Sequence, residues 1–349
     1  MNGARMRLLD VSDLIKNFPA PRGGLVKAVN GVSFHIEKGE ALALVGESGS
    51  GKTTVGRCIL RLIEPTTGTI VFRSQDVSTM RQDRLRVLRP YMQMLFQEPY
   101  DSLNPRKSIR WIVEEPIRLG TKMSSGRRLE RVVEVLDMVG LGSWALDRYP
   151  HQFSAGEQQR IGIARAIAPE PELVVLDEPT SALDVSVRAE ILDLLADLQE
   201  HLGCSYLFIS HDLTAVRRVC HRVAIMYLGK IVETGSTAEI FEQPLHPYSR
   251  ALLSSVLYAD PRKELSRFVL AGEIPSPIDL PSGCFLRGRC PWAVDACRAA
   301  YPDPEEILPG HRVACFRARE KRELELVRHE KGDSDVTSAV GQVVERGDE

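Results

Sequence analysis

The chain lacks any run approaching the ~20 consecutive apolar residues that a bilayer crossing requires, so it offers no candidate transmembrane helix. It also lacks a signal-peptide core, because no apolar segment follows Met1-Asn2-Gly3-Ala4-Arg5. The expectation is a cytosolic chain that reaches a membrane only through a partner. An excess of one charge is missing as well. With 45 Lys and Arg against 47 Asp and Glu, for a formal net charge of −2, nucleic acid is not expected as the main partner. Cysteine is scarce, at seven residues, and none forms a Cys-x-x-Cys pair.

What the chain does have is length, and 349 residues can bury a large core plus an appendage. Residues 7 to 45 read as strands and turns, with one strand over 26 to 36 stopping at Lys38-Gly39-Glu40. Thr69-Ile70-Val71-Phe72 and 92 to 96 are further strand candidates. From 108 to 150 the pattern turns helical. There Leu129, Val132, Val133, Leu136 and Val139 fall at the three- and four-residue spacings of one helix face. Leu173-Val174-Val175-Leu176 is a continuous apolar run, as expected for a strand buried on both faces of a parallel sheet. Helix 186 to 202, strand 205 to 210, helix 213 to 220 and strand 222 to 228 follow. This alternation predicts an α/β core with a mainly parallel sheet. Beyond 234 come a helical stretch to 257 broken by Pro244-Leu245-His246-Pro247, a proline-rich connector over 274 to 283, a cysteine window, and a charged tail read as frayed.

The motif that carries most chemistry is Gly46-Glu47-Ser48-Gly49-Ser50-Gly51-Lys52-Thr53, directly after the apolar run Ala41-Leu42-Ala43-Leu44-Val45 and before a helix read over 54 to 63. This order of strand, glycine loop and helix is that of a phosphate-binding loop. Glycines let the backbone wrap a phosphate with its N–H groups pointing inward, and the helix N-terminus adds positive potential. Lys52 is placed to reach the β/γ-phosphates, and Thr53 to ligate Mg²⁺ through its hydroxyl. The apolar run 173 to 176 ends in Asp177-Glu178. A carboxylate at such a strand end can hold Mg²⁺ beside the loop, and Glu178 can polarise an attacking water as a general base. A nucleoside triphosphate is therefore the expected ligand.

At this point residues 7 to 255 resemble the ATP-binding-cassette ATPases, on several motifs in order. Phe18 stands where that family stacks an aromatic on adenine. Gln97 in Leu95-Phe96-Gln97-Glu98-Pro99 matches the glutamine that senses Mg²⁺, water and the permease interface. Phe153-Ser154-Ala155-Gly156-Glu157-Gln158-Gln159-Arg160 occupies the family signature, Ser181-Ala182-Leu183-Asp184 the loop that crosses the dimer, and His211 the histidine that contacts the γ-phosphate. The resemblance implies a P-loop ATPase of mainly parallel sheet core, antiparallel β subdomain and helical subdomain, working as a dimer in which one subunit's signature closes on ATP held by the other. It assigns catalysis to Glu178, His211 and Gln97; ATP contact to Phe18, residues 46–54, Gln97, Asp177, Ser154, Ala155, Gly156, Glu157 and Asp184; and Mg²⁺ to Thr53, Gln97 and Asp177. The signature departs from the family's Ser-Gly-Gly-Gln in Ala155 and Glu157, which add a Cβ and a negative charge near an anionic ligand. The site it completes is expected to be modestly impaired.

Nearly the whole chain except the tail resembles the ATP-binding subunits of bacterial oligopeptide/dipeptide permeases. The carrying segments are Gln97-Glu98-Pro99-Tyr100-Asp101-Ser102-Leu103-Asn104-Pro105-Arg106, Tyr206 to Leu213, Pro244-Leu245-His246-Pro247-Tyr248, Pro275-Ser276-Pro277, Ser282-Gly283-Cys284, Arg289-Cys290-Pro291 and His311-Arg312-Val313-Ala314-Cys315. This resemblance implies a second, nonidentical ATPase subunit, two transmembrane permease subunits and an extracytoplasmic solute-binding protein. It puts the chain at the cytoplasmic face of the plasma membrane. The implied organisation is a flexible start over 1–6, a nucleotide-binding domain over 7–235 with a helical subdomain near 100–165, a small Cys-rich extension over 236–316, and a tail over 317–349. Nickel or sugar import, a soluble cassette ATPase acting on nucleic acid or ribosomes, and a nonhydrolysing subunit are the alternatives left open. Cys58, Cys204 and Cys220 read as buried small hydrophobes, whereas Cys284, Cys290, Cys297 and Cys315 fall within 32 residues at gaps of five, six and seventeen. Four thiolates suit Zn²⁺ or a [4Fe–4S] cluster, and their spacing matches neither common run. The resemblance favours iron–sulfur, with zinc or plain reduced thiols as alternatives.

Overall fold

In the computed structural model the described residues are 6–21, 23–98, 102–254 and 268–323. Two sheets organise them. The first is antiparallel, in the order β2-β1-β4-β5, from β1 (Arg7–Pro19), β2 (Leu25–Glu37), β4 (Thr67–Phe72) and β5 (Gln75–Asp76). The second is built on β3 (Ala41–Val45), β6 (Met92–Leu95), β7 (Leu173–Asp177), β8 (Ser205–Ser210) and β9 (Arg222–Tyr227). These five lie side by side in the order β9-β3-β8-β7-β6 and run parallel. Every residue of β3, β7 and β8 is buried, which is why their sequences are unbroken apolar runs rather than alternations.

The sheet does not end with the parallel strands. β10 (Lys230–Ser236) turns back antiparallel on β9, and the hairpin of β11 (Glu305–Leu308) and β12 (His311–Val313) adds to β10. Sequence reading missed these three. The hairpin is too short for an alternating pattern, and β10 carries Gly235 and a register shift. The contact is sealed by the fully buried pair His311 Nε2 to Glu233 Oε1 at 2.7 Å. Glu233 also accepts the backbone N–H groups of Leu245 and His246.

Helices follow the same logic. α1 (Lys52–Ile59) begins where the glycine loop ends, α2 (Gln82–Leu88) follows β5, and α3 (Ile109–Gly120) and α4 (Ser125–Met138) pack against each other and against the helix that precedes β7. Within α4 the inward face is Val132, Val135 and Leu136, followed by Val139 just past its end. Leu129 and Val133 are only half-buried, since a 3.6-residue turn moves the stripe round toward Val135. α5 (Ala155–Ile167) precedes β7, α6 (Val185–Leu202) joins β7 to β8, and α7 (Leu213–Val219) joins β8 to β9. α8 (Thr237–Glu242) and α9 (Pro247–Ser254) lie either side of the expected proline break, and α10 (Ala296–Ala299) sits in the cysteine window. Cys58, Cys204 and Cys220 are buried as expected. The N-terminal segment 1–5, Pro99-Tyr100-Asp101 of the permease-like motif, and the charged tail from 324 onward lie outside the described residues. No helix among the described residues is long and apolar enough to cross a membrane.

Candidate functional site

Strand β3 delivers the chain into the glycine loop at the C-terminal edge of the parallel strands. Two glycines there are obligatory on geometry. A Cβ on Gly46 would sit 2.2 Å from the Met226 carbonyl oxygen; one on Gly51, whose φ is +102°, would sit 2.1 Å from that of Ala28. Lys52 closes the loop on itself. Its ammonium donates to the carbonyls of Gly46 at 2.7 Å and Glu47 at 2.9 Å, and to Ser50 Oγ at 3.4 Å. Burial pulls the Lys52 pKa down, while Glu178 and Asp177 pull it back up. Thr53 Oγ1 donates to Asp177 Oδ1 at 2.8 Å. Asp177 is 2% exposed, and burial raises its pKa, opposed by the Thr53 hydrogen bond and the charge of Arg57. The pair is a hard-oxygen set, hydroxyl plus buried carboxylate, which fits Mg²⁺.

Glu178 leaves β7 at φ +48°, in the left-handed region that side chains seldom occupy. Its N–H donates to the Ile209 carbonyl, tying the strained turn to β8. Its carboxylate is then bracketed: Gln97 Nε2 donates to Oε2 at 3.3 Å, and His211 Nδ1 lies 3.1 Å from Oε1. Gln97 comes from the end of β6 and His211 from the end of β8, so three parallel strands bring one carboxylate and two polar partners together. All three line a cleft of about 560 Å³ with Val26, Ala28, the loop residues Gly46–Gly49, and Gly51–Thr54.

Several expected residues do not reach that cleft. Phe18 is half-buried, with Lys16 Nζ 4.9 Å from its ring centre, and it pairs across the strands with Val26. Val26 lines the cleft and Phe18 does not. Ser154, Ala155, Gly156, Glu157 and Asp184 stand apart from it too. Ser154 caps α5. Its hydroxyl accepts the Glu157 N–H, while the Glu157 carboxylate accepts the Ser154 N–H and hydroxyl, each at 2.8 Å. These bonds hold the Glu157 carboxyl below the usual carboxylate range. Gly156 has a packing reason, since a Cβ would come 2.6 Å from Val187 Cγ1. Asp184 is exposed at the start of α6, and its side chain makes no capping bond.

The structure also brings in residues that sequence reading left unassigned. Leu252 of α9 and Pro277 of the proline-rich connector line the cleft. Pro277 accepts the Lys27 N–H, and Tyr248 Oη accepts the Glu47 N–H at 2.9 Å. Their only sequence signal was the conspicuous His246-Pro247-Tyr248 and Pro275-Ser276-Pro277 strings.

The four clustered cysteines converge on one small cleft, together with His246 and Trp292. All are free thiols. Burial pushes Cys284 up, Cys290 to about 11 and Cys315 to about 12, against backbone hydrogen bonds from Leu286, Trp292 and Arg317 that pull them down. Cys290 Sγ accepts the Trp292 N–H at 3.3 Å. Among the described residues, no three His, Cys, Asp or Glu side chains are drawn together as ligands of one metal ion. The expected iron–sulfur or zinc centre thus has four thiols around one cleft behind it, without a ready-made ligand shell among the described residues.

Comparison with known proteins agrees with this geometry. Residues 29–181 match the family described as ABC transporter, and residues 232–297 match the oligopeptide/dipeptide transporter C-terminal region. The oligopeptide transport ATP-binding protein AppF of Bacillus subtilis is 48% identical over 317 residues, covering 88% of this chain and 96% of the relative. A putative peptide import ATP-binding protein of Brucella ovis is 48% identical over 310 residues, 89% of this chain and 98% of its own. The dipeptide transport ATP-binding protein DppF of Haemophilus influenzae is 46% identical over 314 residues, 88% and 96%. Among solved structures, the dimeric post-hydrolysis state of the ATP-binding cassette MJ0796 bound to ADP and Pi superposes with a TM-score of 0.60 at 28% identity, covering 66% of this chain and 98% of that one. The cbiO1 protein of Clostridium perfringens gives 0.61 at 28% identity, covering 69% and 93%.

Proposed function

Because the chain belongs to the ATP-binding proteins of ABC transporters, in the branch that carries the oligopeptide/dipeptide transporter C-terminal region, we propose that it hydrolyses ATP to drive import of short peptides. The observation that carries the reading is the Glu178 carboxylate held between Gln97 and His211 above a glycine loop. The loop N–H groups take the phosphates, and Lys52 exchanges two carbonyl contacts for phosphate oxygens. Thr53 and Asp177 would hold Mg²⁺, which when bound offsets charge on the phosphate oxygens. Glu178 accepts the proton of the attacking water, and its two partners fix the direction in which its lone pairs point. Lys52→Ala should abolish ATP-stimulated transport in vesicles carrying the assembled system; persistence of uptake would contradict the reading.

The signature residues stand outside the cleft, which fits a site that a second ATPase subunit completes, and the dimeric cassette among its structural relatives supports the same arrangement. Two permease chains and a solute-binding protein complete the proposed importer, whose permeases would hold this subunit at the cytoplasmic face of the membrane. The names of the relatives favour peptides over nickel or sugars.

For the cysteine cleft we favour a [4Fe–4S] cluster on Cys284, Cys290, Cys297 and Cys315. Each thiol of a cubane serves its own iron, so its ligands need not crowd round one point as four zinc ligands must. The Trp292 N–H to Cys290 Sγ bond is of the kind that tunes such clusters. Bound, the cluster would supply a four-point tie across the C-terminal region. Anaerobically purified protein should be brown and contain iron; colourless, iron-free protein would exclude it.

A further inference from the structure

The Gly46–Glu47 turn, which opens the phosphate loop, is held from three directions. Lys52 grips both carbonyls from within. The other two holds come from far along the chain. Tyr248, on the first turn of α9 and 1% exposed, accepts the Glu47 N–H. Arg289, one residue before Cys290, places Nη1 3.9 Å from Glu47 Oε2. That carboxylate oxygen is buried, and among the described residues it has no hydrogen-bond partner. The two braces are joined: the Tyr227 ring packs tilted against Tyr248 with centroids 4.7 Å apart, and its hydroxyl accepts from Arg289 Nη1 at 3.4 Å. His246 completes the brace by accepting the Tyr248 N–H on Nδ1 at 3.1 Å.

We propose that Tyr248 and Arg289 are positioning residues of the nucleotide site, holding the Gly46–Glu47 turn in its phosphate-receiving shape. The C-terminal region is then a working wall of that site, together with Leu252 and Pro277, and not an appendage to it. Removing either brace leaves a Glu47 group without its partner and frees the turn. The loop must then be ordered at the moment of binding, and affinity falls by the cost of that ordering. Lys52 and Glu178 remain in place, so the loss belongs to binding more than to chemistry.

The inference rests on the ATPase reading, and the test separates the two. The full-length chain is titrated with a fluorescent ATP analogue and Mg²⁺, alongside thermal unfolding without nucleotide. Tyr248→Phe and Arg289→Ala should each raise Kd by about five- to twentyfold, and Arg289→Lys should restore most of the affinity. In the assembled complex Tyr248→Phe should raise KM by a similar factor while kcat falls less than about twofold. Unchanged Kd in both variants would overturn the proposal while leaving the ATPase reading intact. A loss of affinity that merely follows a lower unfolding midpoint, with no rescue by lysine, would also overturn it. Wild-type chain that binds no nucleotide would overturn both.

Discussion

At the scale of single residues, the site depends on atoms that cannot be exchanged without a stated physical consequence. Thr53 and Asp177 share a 2.8 Å hydrogen bond, and the threonine hydroxyl is the part of that pair facing the cleft. Thr53→Val keeps the shape and removes the oxygen. ATP binding measured by calorimetry should then lose most of its dependence on Mg²⁺, whereas wild-type protein should bind about tenfold or more tightly with the metal than without. Gly51→Ala is a different injury. At φ +102°, with a carbonyl 2.1 Å from the new methyl, the loop must move. Nucleotide binding should drop at least tenfold and the unfolding midpoint should fall; retention of both would mean the loop has more room than its backbone suggests.

Elements explain what was and was not legible in the sequence. β3, β7 and β8 are buried on both faces, so apolar runs announced them, and the carboxylate pair at the end of β7 followed at once. Glycine spacing announced the loop because two of its glycines answer to carbonyls of β2 and β9. The contribution of α9 and the proline-rich connector to the cleft was not legible beyond their conspicuous strings, because it depends on hydrogen bonds between Glu47 and Tyr248, 201 residues apart, and between Lys27 and Pro277. The signature helix α5 was half legible. Glu157 looked like a stray charge, and the structure gives it a capping role that glutamine could fill equally well. A carboxylate at that helix start still competes with phosphate for the same N–H groups. Ala155→Gly with Glu157→Gln should therefore raise ATPase activity of the assembled complex about two- to fivefold, and no rise, or a fall, would contradict the impaired-site view. Gly156→Ala, by contrast, drives a methyl against Val187 and should destabilise the chain by about 1–3 kcal/mol in urea unfolding.

For the whole molecule, the cleft is half of the proposed two-subunit site. Its glycine loop, Glu178, glutamine and histidine line the cleft at the end of the parallel strands, with Asp177 buried behind Thr53, while the signature helix start and Asp184 stand exposed elsewhere on the same chain. Val185, beside Asp184, is 81% exposed, an apolar side chain without cover in the single chain. In the proposed dimer each subunit would supply what the other lacks and hide that surface. Sedimentation of Glu178→Gln protein should show association on adding ATP and Mg²⁺ and dissociation when nucleotide is removed; a monomer under both conditions would argue that another subunit is obligatory. The most direct measurement of the central claim is single-turnover ATP hydrolysis by the assembled transporter carrying Glu178→Gln in this chain. ATP should bind with near-wild-type affinity while cleavage at this site slows by about 100-fold or more. Hydrolysis at this site at the wild-type rate would show that Glu178 does not activate the water.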